Sequence, residues 1–292
     1  MNFEYPSFEI IEQEHPCLKL SENLENYHNR AINYVYKHIE LCGRTCYKSS
    51  DKITESSAEP FVTRMINSNH GAMLEHGTIY LTIPIEKYNS DKYFPKEASV
   101  ETRNKLRGIH VNIEDEFAYV TLNLRHIISN DFQDDLIYMS PPSINHEKRY
   151  TVKFTANIQY YKDTTRHRVF SWAIESTRYC NYLKNKFGGS LSFITPSWLK
   201  SSKWYQKLIY KTTLQVIEWG YLLLVKSGWQ PQQASNILPQ ATKADVIMTG
   251  YASDFKHFFS LRADGATGQP HPQVKELALP LKKTFEEYGY IY

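Results

Sequence analysis

The stretch Arg166–Tyr179, RHRVFSWAIESTRY, decides how the rest of the chain is read. Arg166, His167 and Arg168 stand together, seven residues follow, and then come Ser176 and Arg178. Arginine is permanently charged and donates in a planar fork that suits phosphate oxygens, so two of them beside a histidine can hold a doubly anionic group. Ser176 and Arg178, two apart, point the same way wherever the backbone is extended. A hydroxyl and a guanidinium aimed at one spot make a second phosphate grip. An Arg-His-Arg triplet alone is commonly a solvated basic face; Ser176, Arg178 and Tyr179 at fixed spacing make this one specific.

Composition sets the bounds. A chain of 292 residues buries a full core and makes one large domain or two smaller ones. Hydrophobic residues at 41% and charged residues at 22% describe an ordinary globular protein. The 22 tyrosines are many, and their apolar bodies with polar tips suit oligomer interfaces and planar ligands as well as a core. A net charge of +3 and no long Lys/Arg block give no ground for a nucleic-acid partner. No apolar run is long enough for a membrane span, so no membrane association is expected. The N-terminus, MNFEYPSFEIIEQE, is acidic and does not read as a secretory leader. Cys17, Cys42, Cys46 and Cys180 are irregularly spaced, which fits neither a disulfide framework nor a metal site. A cytoplasmic protein with reduced thiols is expected.

Outward from the motif, the pattern predicts a strand at FEIIEQ and then a helix capped by Ser21. Leu24, Tyr27, Ala31, Val35, His38 and Cys42 form its stripe, Gly43 ends it, and GRTCYKSS makes a turn. Cys46 reads as a small buried residue, because no acid-base partner is visible near it. Ser56 and Glu59 have capping-box spacing for a second helix that stops near Asn69-His70-Gly71. Residues 78–83 alternate as a half-buried strand, with Glu75 and His76 at its entrance. Residues 86–150 read as an insertion holding a strand, EFAYVTL, and a short helix capped by Asn123. The strand RYTVKFT and the helix ANIQYYKDTTRHR then deliver the basic triplet, and FGGSLSFITPSWL is a loop. A helix over about 203–226 is apolar nearly all round, which calls for burial by the fold or a partner subunit. Gly228 and Pro231 end it. QQASNILP forms a short helix and ADVIMTGY a strand; Ser253 caps DFKHFFSLRAD, and a helix from Pro272 to about Glu287 is bent by Pro280.

The order Arg-His-Arg, seven residues, Ser, Arg-Tyr resembles the hallmark motif of the flavin-dependent thymidylate synthases. The resemblance extends to GRTCY (43–47), HGAMLEHGT (70–78), and the blocks from ILP through HFFSLRAD to HPQVKELA (237–278). It implies a single α/β domain of α+β type over 1–292, with a central, mostly antiparallel sheet flanked by helices. It also implies a homotetramer with active sites between subunits. The implied reaction converts dUMP to dTMP, with methylenetetrahydrofolate as carbon donor, reduced FAD as hydride source and NADPH to re-reduce the flavin.

Carried over by motif, Arg166, His167, Arg168, His76, Thr78, Ser253 and His257 would contact FAD. Arg166, Ser176, Arg178 and Arg262 would hold dUMP. Arg262 would sit against the uracil ring as the catalytic residue, where a fixed cation favours the ionised pyrimidine and makes C5 more nucleophilic without a thiol. An ion pair with Asp264 is the plainer reading of Arg262. The chain departs from the family pattern at Asp163, Ile174, Ser235 and Tyr251, where Gln, Glu or Gln, Arg and Asn are usual. Such changes leave room for a related reaction, such as hydroxymethylation of a pyrimidine nucleotide, or for a flavin-binding homologue without activity.

Overall fold

The computed structural model describes residues 1–17, 19, 22–96, 99, 106–176, 182 and 189–291. Its elements are β1 (Asn2–Glu4), β2 (Ser7–Ile11), α1 (Leu24–Cys46), α2 (Ala58–Asn67), β3 (Thr78–Pro84), β4 (His110–Glu114), β5 (Phe117–Asn123), α3 (Leu124–Ser129), β6 (Arg149–Asn157), α4 (Ile158–Thr164), β7 (Ser171–Ile174), β8 (Ser192–Ile194), α5 (Trp204–Lys226), β9 (Lys243–Tyr251), α6 (Ala252–Phe259) and α7 (Pro272–Glu287). Single helical turns between them carry no label.

The architecture is mixed α/β, with antiparallel sheets flanked by helices. The central sheet has four strands in the order β2-β6-β9-β7, all antiparallel. The β6–β9 pair is the long one, nine residues in register from Arg149↔Tyr251 to Asn157↔Lys243. A second, three-stranded sheet, β3-β5-β4, contains the two strands of the 86–150 segment. Its apolar face, with Ile79, Leu81, Val120 and Leu122, packs on α1 and α2 through Val35, Ile39, Phe61 and Val62. The other core lies under the central sheet, where α4, α6 and α7 bring Tyr160, Phe255, Phe258 and Phe285 against Val152, Phe154 and Val246. The stretch read as a loop, FGGSLSFITPSWL, contains β8, which pairs in parallel with β1.

Several expectations are corrected. Asn23 caps α1, its side chain accepting from Asn26 N at 2.8 Å; Ser21 lies outside the described residues. The helix also does not stop at Gly43 but runs to Cys46, so GRTC is helical and the turn begins only at Tyr47. Gly43 is there for space, since a Cβ on it would lie 2.6 Å from the ring of Phe61. Ser57, not Ser56, precedes α2, and its hydroxyl bonds Glu40 Oε2 at 2.7 Å instead of capping. Strand β3 is buried on both faces, because His15 and His146 cover Tyr80 edge-on. The helix before the basic triplet ends at Thr164, where Thr164 and Thr165 hydroxyls bond back to the carbonyls of Tyr160 and Tyr161. Ser253 sits inside the first turn of α6, and the residue before that helix is Tyr251.

Helix α5 has the predicted bounds, and its own chain buries it only in part. Only Leu214, Glu218 and Tyr221 are buried, while Trp204, Leu208, Ile209, Val216, Trp219 and Leu223 are exposed. No helix among the described residues is long and apolar enough to cross a membrane.

Gly43 provides a test of the tight α1–α2 packing. At an exposed helical site Gly→Ala stabilises by about 0.5–1 kcal/mol. Here the new methyl overpacks against Phe61, which costs about 1–3 kcal/mol. Gly43→Ala is therefore expected to lower the urea midpoint, whereas a rise would show that the Phe61 ring moves freely aside.

Candidate active site

The turn after α4 splits the basic triplet between two environments. Arg166 and Arg168 are exposed, whereas His167 points inward and is buried. The His167 ring meets Phe258 edge-on at 5.2 Å and lies 6.2 Å from the ring of His257. Arg262 donates from Nε to His167 Nε2 at 2.9 Å and from an Nη to the carbonyl of Asp163 at 2.9 Å. Arginine can only donate, so Nε2 is the acceptor and Nδ1 carries the proton. Burial, then the charges of Arg262 and His257, push the His167 pKa down to about 4, so the ring is neutral at pH 7.

Thus two sequence blocks almost a hundred residues apart meet through the Arg262 guanidinium. The turn that presents Arg262 is π-helical over Ser260–Asp264 and closes on Gly265 at φ 76°. Asp264 does not take Arg262 as its partner; it pairs with Lys282 at 2.8 Å.

His76 and Thr78 are buried and bonded within the chain. His76 Nδ1 lies 2.8 Å from Thr249 Oγ1, Thr249 Oγ1 lies 2.9 Å from Thr151 Oγ1, and Thr151 Oγ1 lies 2.9 Å from His38 Nε2. This buried file of hydroxyls and imidazoles ties α1 and β3 to the two central strands. Among the described residues His76 Nε2 has no partner. Thr78 accepts from Arg149 Nη1 at 3.2 Å, and its backbone is held by both ends of the Gln13 amide. Ser253 is exposed and its N–H donates to Glu147; His257 is exposed on the same helix. Ser176 N donates to the Cys46 carbonyl at 3.1 Å, next to the start of the second phosphate grip; Arg178 lies outside the described residues.

Sequence reasoning missed three arginines. A cavity of about 590 Å3 is lined by Arg107, Arg125, Arg149 and Arg168, with Glu75, Asp254 and Tyr251 also on its wall. Arg149 opens β6 opposite Tyr251; it donates to Thr78 Oγ1 and the Glu75 carbonyl, and its guanidinium lies 5.3 Å from the Tyr251 ring. The available signal was position, since the first residue of a long central strand lies at the sheet end where ligands gather.

The departures from the family pattern also find their places. Tyr251 donates its hydroxyl toward the carbonyls of Gly108 at 2.5 Å and Thr121 at 2.9 Å, and its ring lies 4.0 Å from that of His110. It thereby pins the second sheet to the first. Asp163 contributes its carbonyl to Arg262 and its carboxylate to Gln159. The Ser235 hydroxyl bonds back to the Gln232 carbonyl, and Ile174 lies in β7 opposite Val246. Beside Ile174, buried Glu175 is held by Lys48 at 2.7 Å and Lys243 at 3.3 Å.

Fold and site together define an α/β protein that gathers guanidiniums around a nucleotide-sized cavity. The chain belongs to the thymidylate synthase complementing protein family, that of the flavin-dependent thymidylate synthases: the family model matches residues 102–288. That match takes in the Arg-His-Arg motif and the C-terminal blocks, and leaves GRTCY and HGAMLEHGT outside it.

Among similar proteins, the flavin-dependent thymidylate synthase of Thermococcus onnurineus is 32% identical over 103 residues, 34% of this chain and 39% of its own length. Those of Geobacter sulfurreducens and Pyrococcus abyssi are 27% and 30% identical over 97 residues, 33% of this chain and 40% and 38% of their own lengths. The alignments thus span about two fifths of these relatives. The UMP/dUMP methylase PolB of Streptomyces cacaoi, solved with 5-Br dUMP, aligns over 98% of this chain and 93% of its own at 15% identity and a TM-score of 0.43.

The buried histidines set a pH dependence. Burial holds the pKa of both His38 and His76 down to about 3. An unfolded histidine titrates near 6.5. Between those values the unfolded chain binds protons that the folded chain does not, so stability falls as pH falls through the window, by about 1.4 kcal/mol per pH unit per group. The urea midpoint is expected to drop between pH 7 and pH 5, and the double variant His38→Gln, His76→Gln to give a flatter profile. An equally steep profile in that variant would place the proton uptake elsewhere.

Proposed function

We propose that the chain catalyses reductive methylation of dUMP to dTMP as a flavin-dependent thymidylate synthase, with methylenetetrahydrofolate as carbon donor and NADPH re-reducing FAD. The observation that carries this reading is the bond between Arg262 and His167, which joins the Arg-His-Arg turn to the SLRAD turn. The family membership supports it across the same residues.

The donor set fits a flavin dinucleotide. Arg168 stands on the cavity wall, and Arg149 Nε is a buried donor with no partner among the described residues, an atom that a phosphate oxygen would satisfy. Arg166, His167 and Arg168 would hold the flavin from the turn, with Ser253 and His257 on α6 and His76 and Thr78 behind the sheet. When bound and reduced, FAD supplies the hydride.

The substrate's phosphate would be taken by Ser176, Arg178 and Arg166. Arg262, held by His167 and the Asp163 carbonyl, would present a fixed positive charge to the uracil ring and favour its ionised form. His167 serves this by remaining neutral, because an imidazolium there would repel the guanidinium it orients. A thiol route through Cys42 or Cys46 is unfavourable: burial, with Glu175 and Asp245, pushes the Cys46 pKa up to about 12, and burial raises that of Cys42; Cys180 lies outside the described residues. A homotetramer with sites between subunits would also cover the exposed apolar residues of α5. The proposed setting is the cytoplasm.

The changes at Asp163, Ile174 and Ser235 favour a second reading on the same site, transfer of a different one-carbon unit to a pyrimidine nucleotide. Mass spectrometry of the product from dUMP, methylenetetrahydrofolate and NADPH separates the two. A gain of one methyl group is expected, and a hydroxymethyl product or untouched dUMP would overturn the first reading. The purified chain is expected to carry flavin near one per chain. Arg262→Ala is expected to retain that flavin while dUMP-dependent turnover falls about 100-fold or more. Unchanged turnover would remove Arg262 from the chemistry.

A further inference from the structure

We infer that the cavity between the second sheet and the turn after α4 is a subsite for a phosphate ester or pyrophosphate, in which Arg107 and Arg125 of the 86–150 segment act with Arg149 and Arg168. Four guanidiniums line one cavity of about 590 Å3 against two carboxylates, Glu75 and Asp254. Its two histidines add no charge at neutral pH, because burial lowers the pKa of both His110 and His126. Arg125 is already paired with Glu75. Asp254, half-buried on the same wall, is the remaining anion against three guanidiniums. An uncompensated cluster of like charge is unfavourable in the absence of an anion and becomes favourable when one binds.

The cluster is also built to hold its shape. Both terminal nitrogens of Arg149 are anchored, on Thr78 Oγ1 and the Glu75 carbonyl, and its Nε is buried with no partner among the described residues. Arg107 is exposed, but its backbone is fixed: the His126 ring bonds the Arg107 carbonyl at 3.0 Å, and the Tyr251 hydroxyl bonds the next carbonyl, that of Gly108, at 2.5 Å. Tyr251 therefore sets where Arg107 stands relative to Arg149, which lies under the same tyrosine ring. Arginine forks recognise phosphate oxygens in pairs, and a cavity of this size exceeds what a bare ion needs.

The subsite extends the proposed function, since FAD, dUMP and NADPH all carry the required phosphate chemistry. The test compares the full chain with Arg107→Ala and Arg107→Lys, in titrations with FAD, dUMP, NADPH and inorganic pyrophosphate at low and raised salt. Arg107→Ala is expected to weaken at least one nucleotide by about 10- to 100-fold, with partial rescue by lysine. The nucleotide that responds identifies the source of the phosphate.

A change under twofold for all four probes, with an unchanged melting temperature, would overturn the inference. So would a wild-type chain that fails to bind pyrophosphate, a result that does not depend on any variant folding. Pyrophosphate binding that requires Arg107, in a chain that takes neither flavin nor dUMP, would leave the subsite standing and remove the proposed function instead.

Discussion

The nine-residue antiparallel pairing of β6 with β9 is the constraint on which the rest depends. It fixes two chain exits at opposite ends of the central sheet, about 30 Å apart at 3.4 Å per residue. Helix α4 leaves one end and runs back for seven residues; α6 and the π-turn leave the other and run back for thirteen. At 1.5 Å per residue these are roughly 10 Å and 20 Å, so the two paths close the gap between them. Both are held to the same face by Tyr160, Phe255 and Phe258 in one core. The meeting of His167 and Arg262 follows from strand length and helix rise, with the aromatic core setting the direction.

Much of this was legible in the sequence, for identifiable reasons. Long elements such as α1, α5, β6 and β9 came out near their predicted bounds: burial on one face is written into the spacing of α1, and long apolar runs bounded by polar or turn residues mark the others. The Arg-His-Arg motif was singled out by Ser176, Arg178 and Tyr179 at fixed spacing from it, and Arg262 by the family resemblance of SLRAD. What failed was local punctuation. Gly43 looked like a helix stop, yet it is needed where Phe61 crowds the helix, a fact that depends on a residue in another element. Ser253 looked like a cap, but Tyr251 holds that position because its side chain is required across the sheet boundary.

The 86–150 segment was the least legible part, and the reason is physical. Its strand β5 pairs with β3 and β4 pairs with β5, so the register of the pair is set by a partner outside the segment. Arg107, Arg125 and Arg149 carry no motif, because convergence of side chains from three elements leaves no fixed spacing. The one clue was Tyr251, a departure from the family pattern that makes sense once the second sheet is seen to hang from its hydroxyl.

The buried file from His38 through Thr151 and Thr249 to His76 has a consequence for both rings. Three links need three protons, and the two hydroxyls supply two, so when every hydroxyl proton stays in the file one imidazole donates and the other accepts. Because the file meets His76 at Nδ1 and His38 at Nε2, the two rings then carry the same tautomer by necessity. Turning one over obliges both hydroxyls to rotate and the other ring to follow, so a ligand that captured the bare Nε2 of His76 would fix the polarity of a histidine in the middle of α1.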